Sequence, residues 1–216
     1  MTSDVMLRDV SQRDLEIFFE HQRDPAANHM AAFTAKDPAD RTAFTAKWAK
    51  ILGDDSITKR TILVDGKIAG SVSAFVAPWS GNLEVTYWIG REFWGKGIAT
   101  RALALLLSAV KTRPLHARAA RDNFASLRVL EKCGFSIVGY ERGFACARGE
   151  EIEEVCVGTQ GRGTGSTSHE HRNRRCSRRR GMTAFRRSKI LSPFRLHHHQ
   201  MSAGAGFGPA PLRASV

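Results

Sequence analysis

The stretch "REFWGKGIATRALALLLSAV", Arg91 to Val110, decides how this chain is read. A strand-like segment precedes it, two glycines stand at its start, and a long apolar helix follows. The start of a helix offers unpaired backbone N–H groups and the positive end of the helix dipole, so an anion is its natural guest. Gly95 and Gly97 let the backbone approach a ligand with no side chain in the way. Ala99 is nearly as small, and Lys96 adds a positive charge. Spacing alone leaves the guest open. A Walker loop needs G-x-x-x-x-G-K-[ST], which is absent. A Rossmann fingerprint needs a third glycine where Thr100 stands, inside a parallel βαβ unit, and here a hairpin precedes the motif. The pyrophosphate of coenzyme A and a tight strand-to-helix turn with no ligand both remain.

Working outward, "LEVTYWIG" before the motif alternates Leu83, Val85, Tyr87 and Ile89 on one face with Glu84, Thr86 and Trp88 on the other, the period of a strand. "RTILVDGKIAGSVSAFV" reads as a hairpin turning at Asp65-Gly66. Nearer the N-terminus, "VMLRDV" reads as a strand. "SQRDLEIFFEHQRDP" reads as a helix capped by Ser11 with Asp14 three residues on, and Pro25 lies just beyond its end. "DPADRTAFTAKWAKIL" reads as a second helix with Asp37 as its cap; "AANHMAAFTAK" between them is ambiguous. After the motif, Pro114 ends the long helix and "LHARAA" reads as a buried strand. "RDNFASLRVLEKCGF" reads as a short helix capped by Asp122 or Asn123 and closed by Gly134, and "SIVGYERG" and "EIEEVCV" read as an antiparallel pair. The order β-α-α-β-β-β-α-β-α-β-β predicts a mixed, mainly antiparallel sheet with helices on both faces, in the α/β (α+β) class.

Charge divides the chain. Residues 158–216 hold twelve lysines and arginines against one acid, Glu170, whereas residues 1–157 are close to neutral. The expected organisation is a globular domain over 1–157 and a basic, low-complexity tail over 158–216. That tail is too polar to bury a core, so it is expected to be disordered, and its Arg/Ser/Gly-rich irregularity resembles a frameshift or read-through extension. A nucleic-acid partner follows only if the tail is genuine. No apolar run has the length of a membrane span, and "MTSDVMLRDV" lacks the layout of a signal peptide. Cys133, Cys146, Cys156 and Cys176 show no C-x-x-C spacing. Reduced thiols in the cytoplasm, with no metal centre and no membrane partner, are the expectation.

"YWIGREFWGKGIATRAL" followed by "DNFASLRVLEKCGF" resembles the GCN5-related N-acetyltransferase superfamily, in the branch of the ribosomal-protein alanine and serine N-terminal acetyltransferases. The first segment resembles the acetyl-CoA signature, commonly Gln/Arg-x-x-Gly-x-Gly/Ala; the second resembles the Asn-x-x-Ser/Ala…Lys-x-Gly-Phe block. The two lie in order, 24 residues apart from Ala99 to Asn123. The resemblance spans about residues 5–157. It implies the acyl-CoA N-acyltransferase fold, acetyl-CoA as co-substrate, an amine acceptor and no metal.

Residue by residue, Gly97 and Ala99 match the family's small positions, and Trp94 stands where Gln or Arg is usual. The resemblance puts the cofactor against Trp88, Ile89, Gly90, Trp94, Gly95, Lys96, Gly97, Ile98, Ala99, Thr100, Asn123 and Ser126, with backbone amides from Trp94 to Ala99 on the pyrophosphate. Asn123 matches the asparagine near the pantetheine arm, and Ser126 the residue proposed to protonate the leaving thiolate. Many relatives carry a tyrosine acid seven residues after the asparagine; here that position is Leu130.

Attack of an amine on a thioester needs a neutral amine, so a carboxylate must take a proton, directly or through water. Glu84 is the candidate base; the alternative for it is a cross-strand ion pair. A backbone N–H near Trp88–Gly90 is the expected oxyanion donor, worth on the order of 3 kcal/mol. Tyr140 is a weaker acid candidate that reads as core, and "HMAAF" (His29–Phe33) is the expected roof of the acceptor site. Arg91, Lys96 and Arg101 could meet phosphates or be solvated surface cations. Two other functions stay in view: a CoA-binding sensor or interaction module without catalysis, and a nucleic-acid binder acting through the tail.

Overall fold

The computed structural model describes residues 4–160. They form β1 (Val5–Asp9), α1 (Leu15–Arg23), α2 (Pro25–Ala31), α3 (Arg41–Gly53), β2 (Thr58–Val64), β3 (Lys67–Val76), β4 (Leu83–Ile89), α4 (Ile98–Ala109), β5 (His116–Ala120), α5 (Phe124–Lys132), β6 (Phe135–Ala145) and β7 (Glu150–Thr159). The strands make one seven-stranded sheet in the order β1-β2-β3-β4-β5-β7-β6. Every neighbouring pair is antiparallel except β4 and β5. Those two run parallel and pair at one position, Glu84 opposite His116, before they part.

The alternation of β4 assigns its side chains to two faces. Val85, Tyr87 and Ile89 enter the main core with Ile98, Leu103 and Leu106 of α4 and Leu130 of α5. The opposite face looks toward α1 and α3, where Phe18, Phe19, Phe44, Trp48 and Ile51 form a second, aromatic cluster. Glu84 and Thr86 are buried there too. Both sides of β4 are thus covered, as expected of a strand at the centre of an α/β sheet.

Local signals explain most boundaries. Asp65 (φ 48°) and Gly66 (φ 77°) both take the left-handed conformation that a two-residue hairpin turn of this hand requires. Ser11 and Asp14 form a reciprocal capping box, entered through a 3-10 turn at Gln12–Asp14. Asn123 caps α5, and Gly134 (φ 86°) follows its end.

Some expectations are corrected. The ambiguous segment holds an extra helix, α2: Asp24 takes the Ala26 and Ala27 N–H groups, and Pro25 starts this helix rather than following the last one. The cap of α3 is Asp40, not Asp37, whose side chain takes the Ala39 N–H in the turn before. The long helix stops at Ala109, ahead of Pro114. The last strand runs past the expected boundary at Val157: the Thr159 N–H donates to the Leu115 carbonyl (2.8 Å), and the Leu115 N–H donates to Thr159 Oγ1 (2.9 Å). Tyr140 is exposed rather than core. The expectations for the basic tail from residue 161, and for Cys176, lie outside the described residues. Among the described residues no helix is long and apolar enough to cross a membrane.

One buried carboxylate ties the N-terminal elements together. Asp14 accepts from Arg8 Nη1 (2.6 Å) and Nη2 (2.8 Å), Thr61 Oγ1 (2.6 Å) and the Ser11 N–H (2.9 Å). Burial alone would raise its carboxyl, but the hydrogen bonds from Arg8, Thr61 and Ser11 outweigh it and hold the group below the usual range. A depressed folded-state value stabilises the fold above the unfolded value near 3.9, and that contribution is lost as pH falls below it. Asp14→Asn is therefore expected to cost about 2 kcal/mol at pH 7. The deficit should shrink as pH falls below about 4, as read by urea denaturation across pH.

Candidate functional site

The uncapped helix start forms where the glycines suggested. Gly97 stands at the N-cap of α4 at φ 70°, with no side-chain cap, and Gly95 lies at φ 72°. No acid occupies the first turn. The N–H groups of Ile98, Ala99 and Thr100 therefore have no intrahelical partner, while that of Arg101 donates to Gly97 O (3.2 Å). Side chains brace the loop from outside. Trp94 Nε1 donates to Ile89 O (2.9 Å), and Lys96 Nζ donates to Glu92 O (2.8 Å).

A cavity of about 460 Å³ opens from this turn between α4 and α5, floored by β4. Of the residues predicted to hold the cofactor, Ile89, Trp94, Gly95, Gly97, Ile98, Ala99, Thr100 and Ser126 line it. Trp88, Gly90, Lys96 and Asn123 lie off its wall. Trp88 belongs to the opposite face of β4, and Gly90 packs so tightly on His21 that a β-carbon there would lie 2.5 Å from the ring. Asn123 is fully buried and acts on its neighbours: its Oδ1 takes the Ser126 N–H (3.0 Å), and its Nδ2 donates to Met30 O (3.1 Å). Arg91 is exposed and lies 3.8 Å from Asp24.

At the inner end of the cavity the sequence reading missed a residue. Tyr87 Oη lies 2.6 Å from Ser126 Oγ, and both are buried. Burial raises the Tyr87 phenol well above its ordinary value, against the lowering pull of the Ser126 hydrogen bond. It stays protonated at neutral pH, and the two hydroxyls share a proton-donating contact. On an alternating strand a tyrosine reads as core; only the register of α5 over β4 reveals its partner.

The ladder also sorts the backbone donors. The Gly90 N–H is committed to Ala69 O (2.8 Å). Antiparallel pairing alternates, so the Trp88 N–H also faces β3, while those of Tyr87 and Ile89 face the gap where β4 and β5 part. Within the predicted Trp88–Gly90 window, only Ile89 offers an N–H to that gap.

Glu84 sits on the other face, 2 % exposed. Its Oε1 accepts from Trp79 Nε1 (3.2 Å), Ser80 Oγ (3.1 Å) and Arg118 Nε (3.2 Å), so the cross-strand ion pair exists. Arg118 also pairs with Glu141 and lies 3.8 Å from Glu154. Glu84 Oε2 has no hydrogen-bond partner among the described residues, and Glu84 lines a cavity of about 210 Å³ with His116, Tyr140 and Cys156. A third cavity, about 90 Å³, lies beneath α1 and α3 against β3 and β4; Tyr87 lines both it and the large one. The expected roof segment divides: Met30 lines the large cavity, and Phe33 the small one. Cys133, Cys146 and Cys156 are free thiols, and no metal-binding cluster occurs among the described residues.

Residues 4–136 match the family model described as Acetyltransferase (GNAT) domain. No curated protein matches the chain significantly. Among solved structures, the microcin C7 self-immunity acetyltransferase MccE in complex with acetyl-CoA and AMP aligns with TM-score 0.59 at 18% identity, covering 72% of this chain and 92% of that one. Mycobacterium smegmatis RimJ in complex with CoA-disulfide aligns with TM-score 0.60 at 23% identity, covering 71% and 80%. The spermidine N-acetyltransferase from Vibrio cholerae in complex with CoA and spermine aligns with TM-score 0.59 at 16% identity, covering 72% and 95%. At these identities the likeness is one of fold.

The hydroxyl pair can be tested by stability. Tyr87→Phe leaves Ser126 Oγ buried without its partner and is expected to cost about 1–2 kcal/mol. With Ser126→Ala added, the double variant should lose about 1 kcal/mol less than the sum of the single losses, measured as a urea double-mutant cycle.

Proposed function

This chain belongs to the GNAT acetyltransferase family, and from that premise we propose that it transfers the acetyl group of acetyl-CoA directly to an amine in a ternary complex. The observation that carries the reading is the cavity of about 460 Å³ that runs from the uncapped N-terminus of α4 to the Tyr87–Ser126 hydroxyl pair. Its outer end suits a pyrophosphate. Three unpaired N–H groups, the dipole of a twelve-residue helix and the two left-handed glycines leave the backbone open to the anion. The site does not depend on Lys96, whose ammonium is held by Glu92 O. The body of the cavity takes the pantetheine arm along Trp94 and Val129.

At the inner end, the Ile89 N–H is positioned to hold the thioester carbonyl as negative charge develops on its oxygen. The amine nitrogen bonds to the carbonyl carbon, the C–S bond breaks, and its electron pair leaves on sulfur. The Ser126 hydroxyl, hydrogen-bonded to Tyr87, gives the departing thiolate its proton and regains one from solvent, to which Glu84 later releases the proton it has taken up. Glu84 Oε2 takes the proton from the amine by way of water, because three donors on Oε1 fix the carboxylate in place. Asn123 positions Ser126 from behind. The catalytic domain is residues 4–160, ending with β7, and the acceptor is a small-molecule amine or a protein N-terminus.

The Arg118–Glu84 pair favours one rival reading, a CoA-binding module without chemistry, because the carboxylate there has a structural use. A thiol-release assay with acetyl-CoA against amines and N-terminal peptides separates the two. Ser126→Ala and Glu84→Gln are each expected to lower kcat by about 10²-fold, with the dissociation constant for acetyl-CoA within about two-fold of the wild type. Tight acetyl-CoA binding without turnover of any amine would establish the rival.

A further inference from the structure

The small cavity beneath α1 and α3 is not used by the cofactor, yet it is built as a binding site. Aromatic rings wall it: Phe18, Phe33, Phe44, Trp48 and Trp88. Within that wall three polar groups have no partner. The first is Lys47, half-buried, with no hydrogen bond or ion pair among the described residues. Its ammonium is lowered to about 8 by burial, as befits a cation held without a counter-ion. The second is Trp88 Nε1, a buried donor, and the third is His21 Nδ1, also buried. His21 Nε2 faces Glu92 Oε1 at 3.4 Å, and Nδ1 is left without a partner. No carboxylate lines this cavity. Buried polar groups are ordinarily satisfied, and three unpaired groups on one wall, one of them charged, form the complement of a ligand.

The cavity also lies where an acceptor must come from. It presses on β4 at Thr86, Tyr87 and Trp88, and Tyr87 lines the cofactor cavity on the other face as well. Phe33 packs with Ala120 of β5, so this wall reaches the gap between β4 and β5. The gap is the passage by which a nucleophile on one face meets a thioester on the other.

We propose that this cavity selects an acceptor carrying a carboxylate beside its amine, an amino-acid-type substrate, with Lys47 and Trp88 Nε1 holding the carboxylate and His21 Nδ1 meeting a further polar group of the ligand. The inference rests on the transferase reading given above. It sets this chain against polyamines, whose second ammonium would meet the Lys47 charge with no carboxylate to balance it. At about 90 Å³ the cavity takes the carboxylate end and a short side chain, which favours free amino acids over long chains.

Two measurements on the full chain test it. In the first, acetyl-CoA turnover is compared for the L-amino acids, their C-terminal amides and spermidine. The expected result is a kcat/KM at least ten-fold higher for the best acid than for its amide or for spermidine. Lys47→Met should reduce that preference to within about three-fold by raising KM, with kcat little changed. Lys47→Arg should keep part of the preference, and Trp88→Phe, which removes only the N–H and a small ring, should lower it. A preference for amides or spermidine, or a preference that Lys47→Met leaves intact, overturns the proposal while leaving the transferase reading in place. In the second, tryptophan emission is titrated with the same compounds in the presence of CoA, where turnover is not needed. Saturable quenching by amino acids that is lost in Lys47→Met upholds the cavity assignment even if no acceptor is acetylated. No quenching by any acid overturns it.

Discussion

The parting of β4 from β5 is the constraint on which the rest of this structure depends. In a sheet that is otherwise antiparallel, these two strands run parallel and pair only where Glu84 meets His116. Beyond that point the backbone groups of β4 that would continue the ladder face an opening. The opening joins two sides of one sheet. The Arg118–Glu84 ion pair sits at its closed end, and Phe33 against Ala120 covers the far end on the side of α1 and α3. In the proposed transfer, a cavity on one face holds the carrier molecule and a cavity on the other holds the group it serves.

The Glu84 cluster illustrates how redundancy secures a buried ion pair. Arg118, itself buried, has Glu84, Glu141 and Glu154 around it, so removal of any one carboxylate leaves it two others. Breaking a buried pair is costly chiefly when it strands a charge, and here the redundancy spares that cost. All three donors to Glu84 fall on a single oxygen. The other oxygen is oriented without being occupied, the condition in which a carboxylate can accept a proton without first giving up a structural contact.

Much of this was legible in the sequence because it is local. Asp65-Gly66, the Ser11–Asp14 box and Gly134 each specify a backbone conformation within a few residues, and each forms. Gly95, Gly97 and the following apolar run mark a helix start for the same reason. The extra helix α2 escaped because Asp24 and Pro25 are equally good as the stop of one helix and the start of the next, and only packing chooses. Asn123 and Ser126 were found by motif, but the division between them was not: Ser126 faces the cavity, and Asn123 turns away to bind backbone. Tyr87 and the Arg118 partner of Glu84 were out of reach for a different reason. Their contacts span 39 and 34 residues and exist only once α5 lies over β4 and β5 runs beside it.

The period of two along β4 carries the final consequence. Tyr87 and Ile89 reach the large cavity, whereas Glu84 and Trp88 serve the two smaller ones on the opposite side. A slip of one residue in the pairing of β4 with β3 would exchange these sets, placing a carboxylate in the apolar core and a tyrosine and an isoleucine where polar groups are wanted. The alternation that buries Val85 against α4 is thus the same feature that keeps the Tyr87–Ser126 hydroxyl pair and the Glu84 carboxylate on opposite faces. The strand itself separates the Glu84 carboxylate from the Tyr87–Ser126 pair, and in the proposed transfer a reacting molecule reaches both through the gap beside β5.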